Sequence, residues 1–449
     1  MNQPLQNEMK QILLFFIVPF FGLSAFSQEA FSLQDAINYS LKNHGSNVIY
    51  NNQLENVRLQ SKEALSAYLP QVNGNVTLDD NLKRQTTVLP GAMFSQEKDV
   101  EVQFGNKYNT NAVIQLDQTI YDQALLYGIK AGLPSKKIAE LNLAKNNENL
   151  IYNTAAAYTQ ILILKEQQKL LSANERQYQD LYNITKFRLD KGVARKVDVD
   201  RVTVQLNNIK AQINQIQTDI DVANNSLKNA MGLPLNKSLQ IEDSLDYNKY
   251  LQVANDKINV HQLVEYQLQS QNIALQEIDV KRKQAAYLPT VSAYARYGGQ
   301  AFGNELGKAT TDWVNYSAVG LKVSIPLFSG KRRESQLNQS RLELENQKQN
   351  LELNTAQLQL QFQNAGRQLQ ENITTIGTNK ANMDLAKTVY ETSQFEYSKG
   401  VSTMADLLNA DFSYKQAQTN YMTSLLNLVS NRLEYERAKG TITNFINQL

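Results

Sequence analysis

The chain has 449 residues, 45 basic and 43 acidic side chains for a formal net charge of +2, and no cysteine. The missing cysteine excludes disulfides, thiolate metal sites and cysteine nucleophiles. Near-balanced charge without a basic cluster long enough to follow a phosphate backbone argues against nucleic-acid binding. Only 8 Pro and 19 Gly, with no Pro/Gly/Ser-rich linker, read as long uninterrupted helices rather than as several compact domains.

Residues 1–27 read as an export signal. Lys10 precedes an apolar stretch from Ile12 to Phe26, and Ala25 and Ser27 are the small residues expected at a cleavage site before Gln28. The alternative is an uncleaved anchor, but Pro19 and Gly22 interrupt a stretch shorter than the roughly 20 apolar residues a spanning helix needs.

A first repeat is expected over residues 28–235, with a helix at about 38–69, a β-hairpin at about 71–120, a long helix at 124–191 and a return helix at 196–231. Val72, Val76 and Leu78 alternate with Asn73, Asn75 and Thr77, and further on Val100, Val102, Phe104, Tyr108, Ala112, Ile114 and Leu116 share one phase. Residues 94–99 read as a polar loop. The long helix stops at Lys191-Gly192-Val193, where glycine suits a left-handed cap that reverses the chain. In the return helix Val202, Leu206, Ile209, Ile213, Ile216, Ile220, Ala223, Leu227 and Ala230 form a heptad seam that wants an antiparallel partner.

After a connecting segment at 236–259, residues 260–449 read as a second copy: a helix at 260–288, a hairpin at about 290–328, a long helix at 331–399 and a return helix at 404–439. Phe187, Lys191, Gly192 and Val193 come back as Phe395, Lys399, Gly400 and Val401, and Gly232 comes back as Gly440, all at the same offset of 208 residues. Each long helix would run roughly 100 Å at 1.5 Å per residue. The return helix covers only half of it, and the helix before the strands has the length to cover the rest. Such a slender pair buries its remaining stripes by lateral association. Two hairpins supply four strands, too few to close a barrel, so a membrane role needs several chains sharing one. A soluble four-stranded sheet packed on helices fits the periodicity equally well.

The chain resembles the TolC family of outer-membrane efflux proteins. The residues that carry the likeness are Phe31-Ser32-Leu33-Gln34-Asp35-Ala36-Ile37, Tyr68-Leu69-Pro70-Gln71-Val72, Tyr287-Leu288-Pro289-Thr290-Val291, Pro326-Leu327-Phe328-Ser329-Gly330-Lys331-Arg332-Arg333, the two helix tips and Met231-Gly232-Leu233-Pro234. Their order and joint spacing span the mature chain. The resemblance implies a mainly α fold with a membrane β-barrel: a homotrimer whose antiparallel coiled-coil hairpins form an α-barrel in the periplasm, joined to a 12-stranded β-barrel in the outer membrane of a Gram-negative bacterium. It also implies a periplasmic membrane-fusion adaptor, an inner-membrane transporter and outer-membrane lipid as partners.

Residue by residue, the resemblance carries adaptor docking to Gly192, Val193, Ala194, Gly400, Val401 and Ser402. It carries the periplasmic aperture to Asp198, Tyr397, Asp406 and Asn409. Where relatives place a second carboxylate this chain has Asn409, and where they place a latch arginine it has Ser402, with Arg195 and Arg201 as nearby substitutes. Asp198 and Asp406 also fit a second role, as N-terminal acids favourable to the helix dipole.

No catalytic, metal or cofactor constellation is legible: His44 and His261 are the only histidines, each in polar helical text, and no Gly-rich loop follows a strand. Trp313, Tyr294, Tyr297 and Tyr316 fit either interfacial girdles or sheet packing. The expected function is the outer-membrane channel of a tripartite efflux or type I secretion system, not an enzyme; a non-conducting coiled-coil scaffold or surface adhesin is the alternative.

Overall fold

A computed structural model describes residues 30–94, 97–242, 246–252 and 257–449. The export signal expected at 1–27 and parts of the 94–99 loop and the connecting segment lie outside the described residues.

Helices α1 (Leu33–Asn43) and α2 (Gly45–Ser66) lead into strand β1 (Gln71–Asp80), a ribbon of β2 (Thr86–Leu89) and β3 (Val100–Gln103), and β4 (Tyr108–Tyr121). Then come α3 (Gln123–Lys130), α4 (Gly132–Asp190), α5 (Lys196–Met231) and a short α6 (Asn248–Leu251). The second half runs α7 (Val264–Ala285), β5 (Thr290–Gly303), α8 (Lys308–Thr311), β6 (Trp313–Ser324), α9 (Arg332–Lys399), α10 (Met404–Lys439) and α11 (Ile442–Ile446).

Three interruptions were not expected and have local causes. The first helix breaks at His44, whose extended backbone ends α1 and whose Nδ1 accepts from the Ser46 amide to cap α2. The long helix breaks after Lys130, four residues before Pro134, which has no N–H to return to that carbonyl. Val100 to Leu116 is not one strand, because Gly105 turns at φ 93° between the ribbon and β4.

All pairing in the main sheet is antiparallel, in the order β1-β4-β5-β6, so β1 and β6 are free edges of the chain. Its two faces differ sharply. Val72, Val76, Leu78, Ile114, Tyr297, Val319, Leu321 and Val323 share one face by register, each more than half exposed. The other face carries Asn73, Asn75, Thr77, Asn111, Gln115, Asp117, Tyr294, Arg296, Tyr316 and Lys322. The four aromatics therefore divide, Trp313 and Tyr297 on the apolar side, Tyr294 and Tyr316 on the polar one. No helix among the described residues is long and apolar enough to cross a membrane.

Away from the sheet, α4 packs antiparallel to α5 in one half and to α2 in the other, and α9 does the same with α10 and α7. The junctions nearest the sheet are polar: the Gln276 amide donates to the Ser340 carbonyl at 2.9 Å and that of Gln269 to Gln347 Oε1 at 2.7 Å. Apolar cores form further along, one joining α4, α9 and α10 to α11 and a second where α1 packs on α4 and α5. Midway, Tyr158 Oη reaches the carbonyls of Phe31 (3.0 Å) and Glu242 (3.2 Å), fixing the segment just before α1 and the connecting segment to α4. A third core, with Tyr178, Leu181, Val202, Leu206, Tyr390, Tyr397 and Leu407, joins the hairpins near their tips.

Candidate functional site: the paired helix tips

Both long helices end in the same hydrogen-bonded reversal. The Gly192 amide bonds the Leu189 carbonyl (2.8 Å) and the Val193 amide that of Arg188 (2.9 Å); Gly400 and Val401 repeat this on Tyr397 and Glu396, each at 3.0 Å. The glycines sit at φ 75° and 79°, a left-handed conformation that side chains resist. This lifts Val193 and Val401, 65% and 79% exposed, to the apex beside the exposed rings of Phe187 and Phe395. Lys191 and Lys399 lie over those rings at 5.4 and 5.3 Å from the centroids. Each apex is thus an apolar knob with a basic collar. Ala194 and Ser402 follow it, half-buried.

The four residues expected at an aperture fall into two groups. Asp198 is buried and paired within its own turn, accepting from Arg195 Nε and Nη2 at 3.2 Å each. Asp406 is exposed and closes a capping box: its amide donates to Thr403 Oγ1 (3.2 Å), and its carboxylate accepts from the Thr403 hydroxyl (2.6 Å) and amide (3.2 Å). Those bonds hold the Asp406 carboxyl below its ordinary range. Asn409 lies one turn on, exposed on the same helix face. Tyr397 is buried beneath a side chain that the sequence reading passed over. Arg188, on the first hairpin, donates from Nη1 to the Tyr397 carbonyl at 2.7 Å and stacks its guanidinium 4.8 Å from that ring's centroid. The position equivalent to Arg188 in the second copy is Glu396, so the contact breaks the repeat, and that asymmetry was the available signal.

Further along, a second polar tie joins the hairpins. Asp411 accepts from the Tyr178 hydroxyl and pairs with Lys415 Nζ at 3.2 Å, while that ammonium lies 3.8 Å over the Tyr178 ring. Asn174 donates to Gln418 at 2.9 Å one turn away, and Tyr390 stacks on Tyr414 at 5.8 Å. Burial first, then Asp411, pushes the Tyr178 and Tyr390 phenols well above their ordinary values; burial pulls the Lys415 ammonium down against the opposing pull of Asp411. The legible hint was Tyr414, 208 residues after Leu206 of the first copy's seam, beside an Asp411/Lys415 pair four residues apart.

Comparison with known proteins agrees with this architecture. The Outer membrane efflux protein family matches residues 52–233 and 261–441, one match in each repeat. Outer membrane protein TolC of Salmonella enteritidis is 24% identical over 349 residues, covering 75% of this chain and 70% of that protein. Alkaline protease secretion protein AprF of Pseudomonas aeruginosa is 20% identical over 309 residues, covering 67% and 63%. Among solved structures, the outer membrane protein VceC of Vibrio cholerae superposes with a TM-score of 0.75 at 16% identity, over 91% of this chain and 96% of that one. The two repeats, the tips and the two-faced sheet are those of an outer-membrane protein, and the chain belongs to the outer membrane efflux protein family.

Proposed function

We propose that three copies of this chain assemble into one channel, with the four-stranded sheets closing a 12-stranded barrel in the outer membrane and the helical hairpins forming a tunnel in the periplasm. Each chain contributes two repeats, 28–235 and 260–449, joined by 236–259. The observation that carries this reading is the sheet: an exposed apolar face between two unpaired edges. In water that face is a liability and the edges invite aggregation; in lipid the edges must be paired, and three sheets in a ring do that while turning the apolar faces outward. Exposed Leu342, Leu353, Leu360, Leu385 and Val389 on α9 supply further surface for lateral packing.

The knobs at Gly192, Val193 and Ala194 and at Gly400, Val401 and Ser402 are the docking points for a periplasmic adaptor, which couples the channel to an inner-membrane transporter. The Asp406 carboxylates, one per chain with Asn409 beside each, ring the aperture and favour cations, while Asp198 and Tyr397 hold its wall. The channel hydrolyses nothing; cargo and energy come from the transporter. The name of the AprF relative supports protein export as one form of cargo, beside the efflux in the family's name.

The test is reconstitution in planar bilayers. The reading expects discrete conductance steps with cation preference, reduced in Asp406→Asn. A protein that inserts but never conducts would favour the scaffold alternative.

A further inference from the structure

On the polar face of the sheet, two tyrosine rings reach over the glycines directly opposite them. A Cβ on Gly298 would stand 3.0 Å from Cζ and Oη of Tyr316, and one on Gly320 would stand 2.7 Å from Cζ and Oη of Tyr294. A glycine opposite an aromatic residue leaves room for the ring to pack against the neighbouring strand, which restrains it. The Tyr316 hydroxyl is further pinned, donating to Asn111 Oδ1 at 3.0 Å. Arg296 stands between the rings, two residues from Tyr294 on β5 and diagonal to Tyr316 on β6, with its guanidinium 6.0 Å from the Tyr316 centroid. Arg296 is exposed and makes no ion pair among the described residues.

The charges around it are sparse. Asp117, opposite Tyr294, accepts from the Gln115 amide at 2.9 and 3.0 Å. Lys322 lies one polar-face step beyond, and from Arg296 outward no further charge appears on that face until Asp79. Two cations therefore face one carboxylate that an amide already holds.

We propose that Arg296, Tyr294 and Tyr316 form a binding platform in the barrel lumen for planar aromatic anions, the guanidinium pairing with a carboxylate or sulfonate while a fixed ring stacks on the aromatic body. The proposal rests on the trimeric channel, which brings three such platforms around one lumen and gives the outer-membrane end a preference opposite in sign to that of the Asp406 ring at the tips. A planar guanidinium suits this better than an ammonium would, because it can pair with the anion and lie against a ring at once. The platform makes the barrel a selective stretch of the pathway.

The test is single-channel recording of the full-length protein in symmetrical KCl with naphthalene-2-sulfonate as blocker and methanesulfonate as the non-aromatic control. Wild type is expected to be blocked by the aryl sulfonate at concentrations where methanesulfonate has little effect. Arg296→Gln is expected to raise the half-blocking concentration roughly five- to tenfold, the product of one exposed cation–π contact and one exposed ion pair, while discrete conductance steps persist and show that the channel has formed. Arg296→Lys should fall between the two, and Asp406→Asn should leave block unchanged. Equal block in wild type and Arg296→Gln, or equal block by the two sulfonates, overturns the platform while leaving the channel standing. A wild-type protein that never conducts removes the channel, and the lumenal platform with it.

Discussion

At the tips, Arg188 does two things that its repeat partner Glu396 cannot: it donates to the Tyr397 carbonyl and lies on the Tyr397 ring, fastening the first hairpin to the second. One charge-assisted bond and one cation–π contact at a half-buried site together contribute roughly 1–2 kcal/mol, enough to shift a closed-to-open balance by about tenfold. Arg188→Ala should therefore raise the time-averaged conductance of the isolated channel, with Arg188→Lys recovering part of the effect; identical recordings for all three proteins would mean that the contact does not hold the aperture. Asp406 gives a second prediction. Because the Thr403 bonds lower its pKa, the carboxylate stays ionised further into acid than an ordinary one, so its share of cation preference should persist to lower pH than an unbonded aspartate would allow. In Thr403→Val the same loss should come at higher pH, which reversal potentials measured across a salt gradient at stepped pH will check. At Gly192 and Gly400, valine would strain a left-handed backbone and disrupt the knob geometry. The double variant should still form trimers but lose export in cells, and unimpaired export would count against docking there.

Elements were legible in the sequence where one physical signal dominated. Period-two alternation marked β1 and β4 because one face is apolar and the other polar along them. The reversals at Gly192 and Gly400 were legible because few residues besides glycine tolerate that conformation. Legibility failed where two signals overlapped. Pro134 stood in plain view inside helical text, yet the surrounding pattern hid the break it causes between α3 and α4. The β2–β3 ribbon continues the alternation of β4, so only the turn at Gly105 separates them. Arg188 and the Asp411, Lys415 and Tyr178 cluster depend on helices from different repeats meeting, which no local pattern encodes. That cluster carries a prediction at the scale of helix pairing. Removing Asp411 leaves a largely buried ammonium and phenol without their acceptor, a change that typically costs about 2–4 kcal/mol. Asp411→Ala should lower the thermal midpoint of the assembly, and adding Lys415→Met should restore part of it; additive losses would show that the two residues are not coupled.

For the whole molecule, the decisive feature is how the sheet is completed. A single chain leaves β1 and β6 unpaired and an apolar face open, and the helices extend roughly 100 Å from it with Leu342, Leu353 and Leu385 exposed along α9. Three chains in a ring resolve all of these features with one symmetry operation. The chain lacks cysteine, so a designed pair reports without background. The most direct measurement places one cysteine at Asn75 on β1 and a second at successive positions along β6, then oxidises the protein in membranes. A disulfide needs Cα atoms within about 7 Å, so only neighbouring edge strands can form it. The account predicts a ladder of two- and three-chain products, closing into covalent trimers at the paired register. Chains that remain uncrosslinked at every β6 position, from a protein that stays outside the lipid, would contradict it.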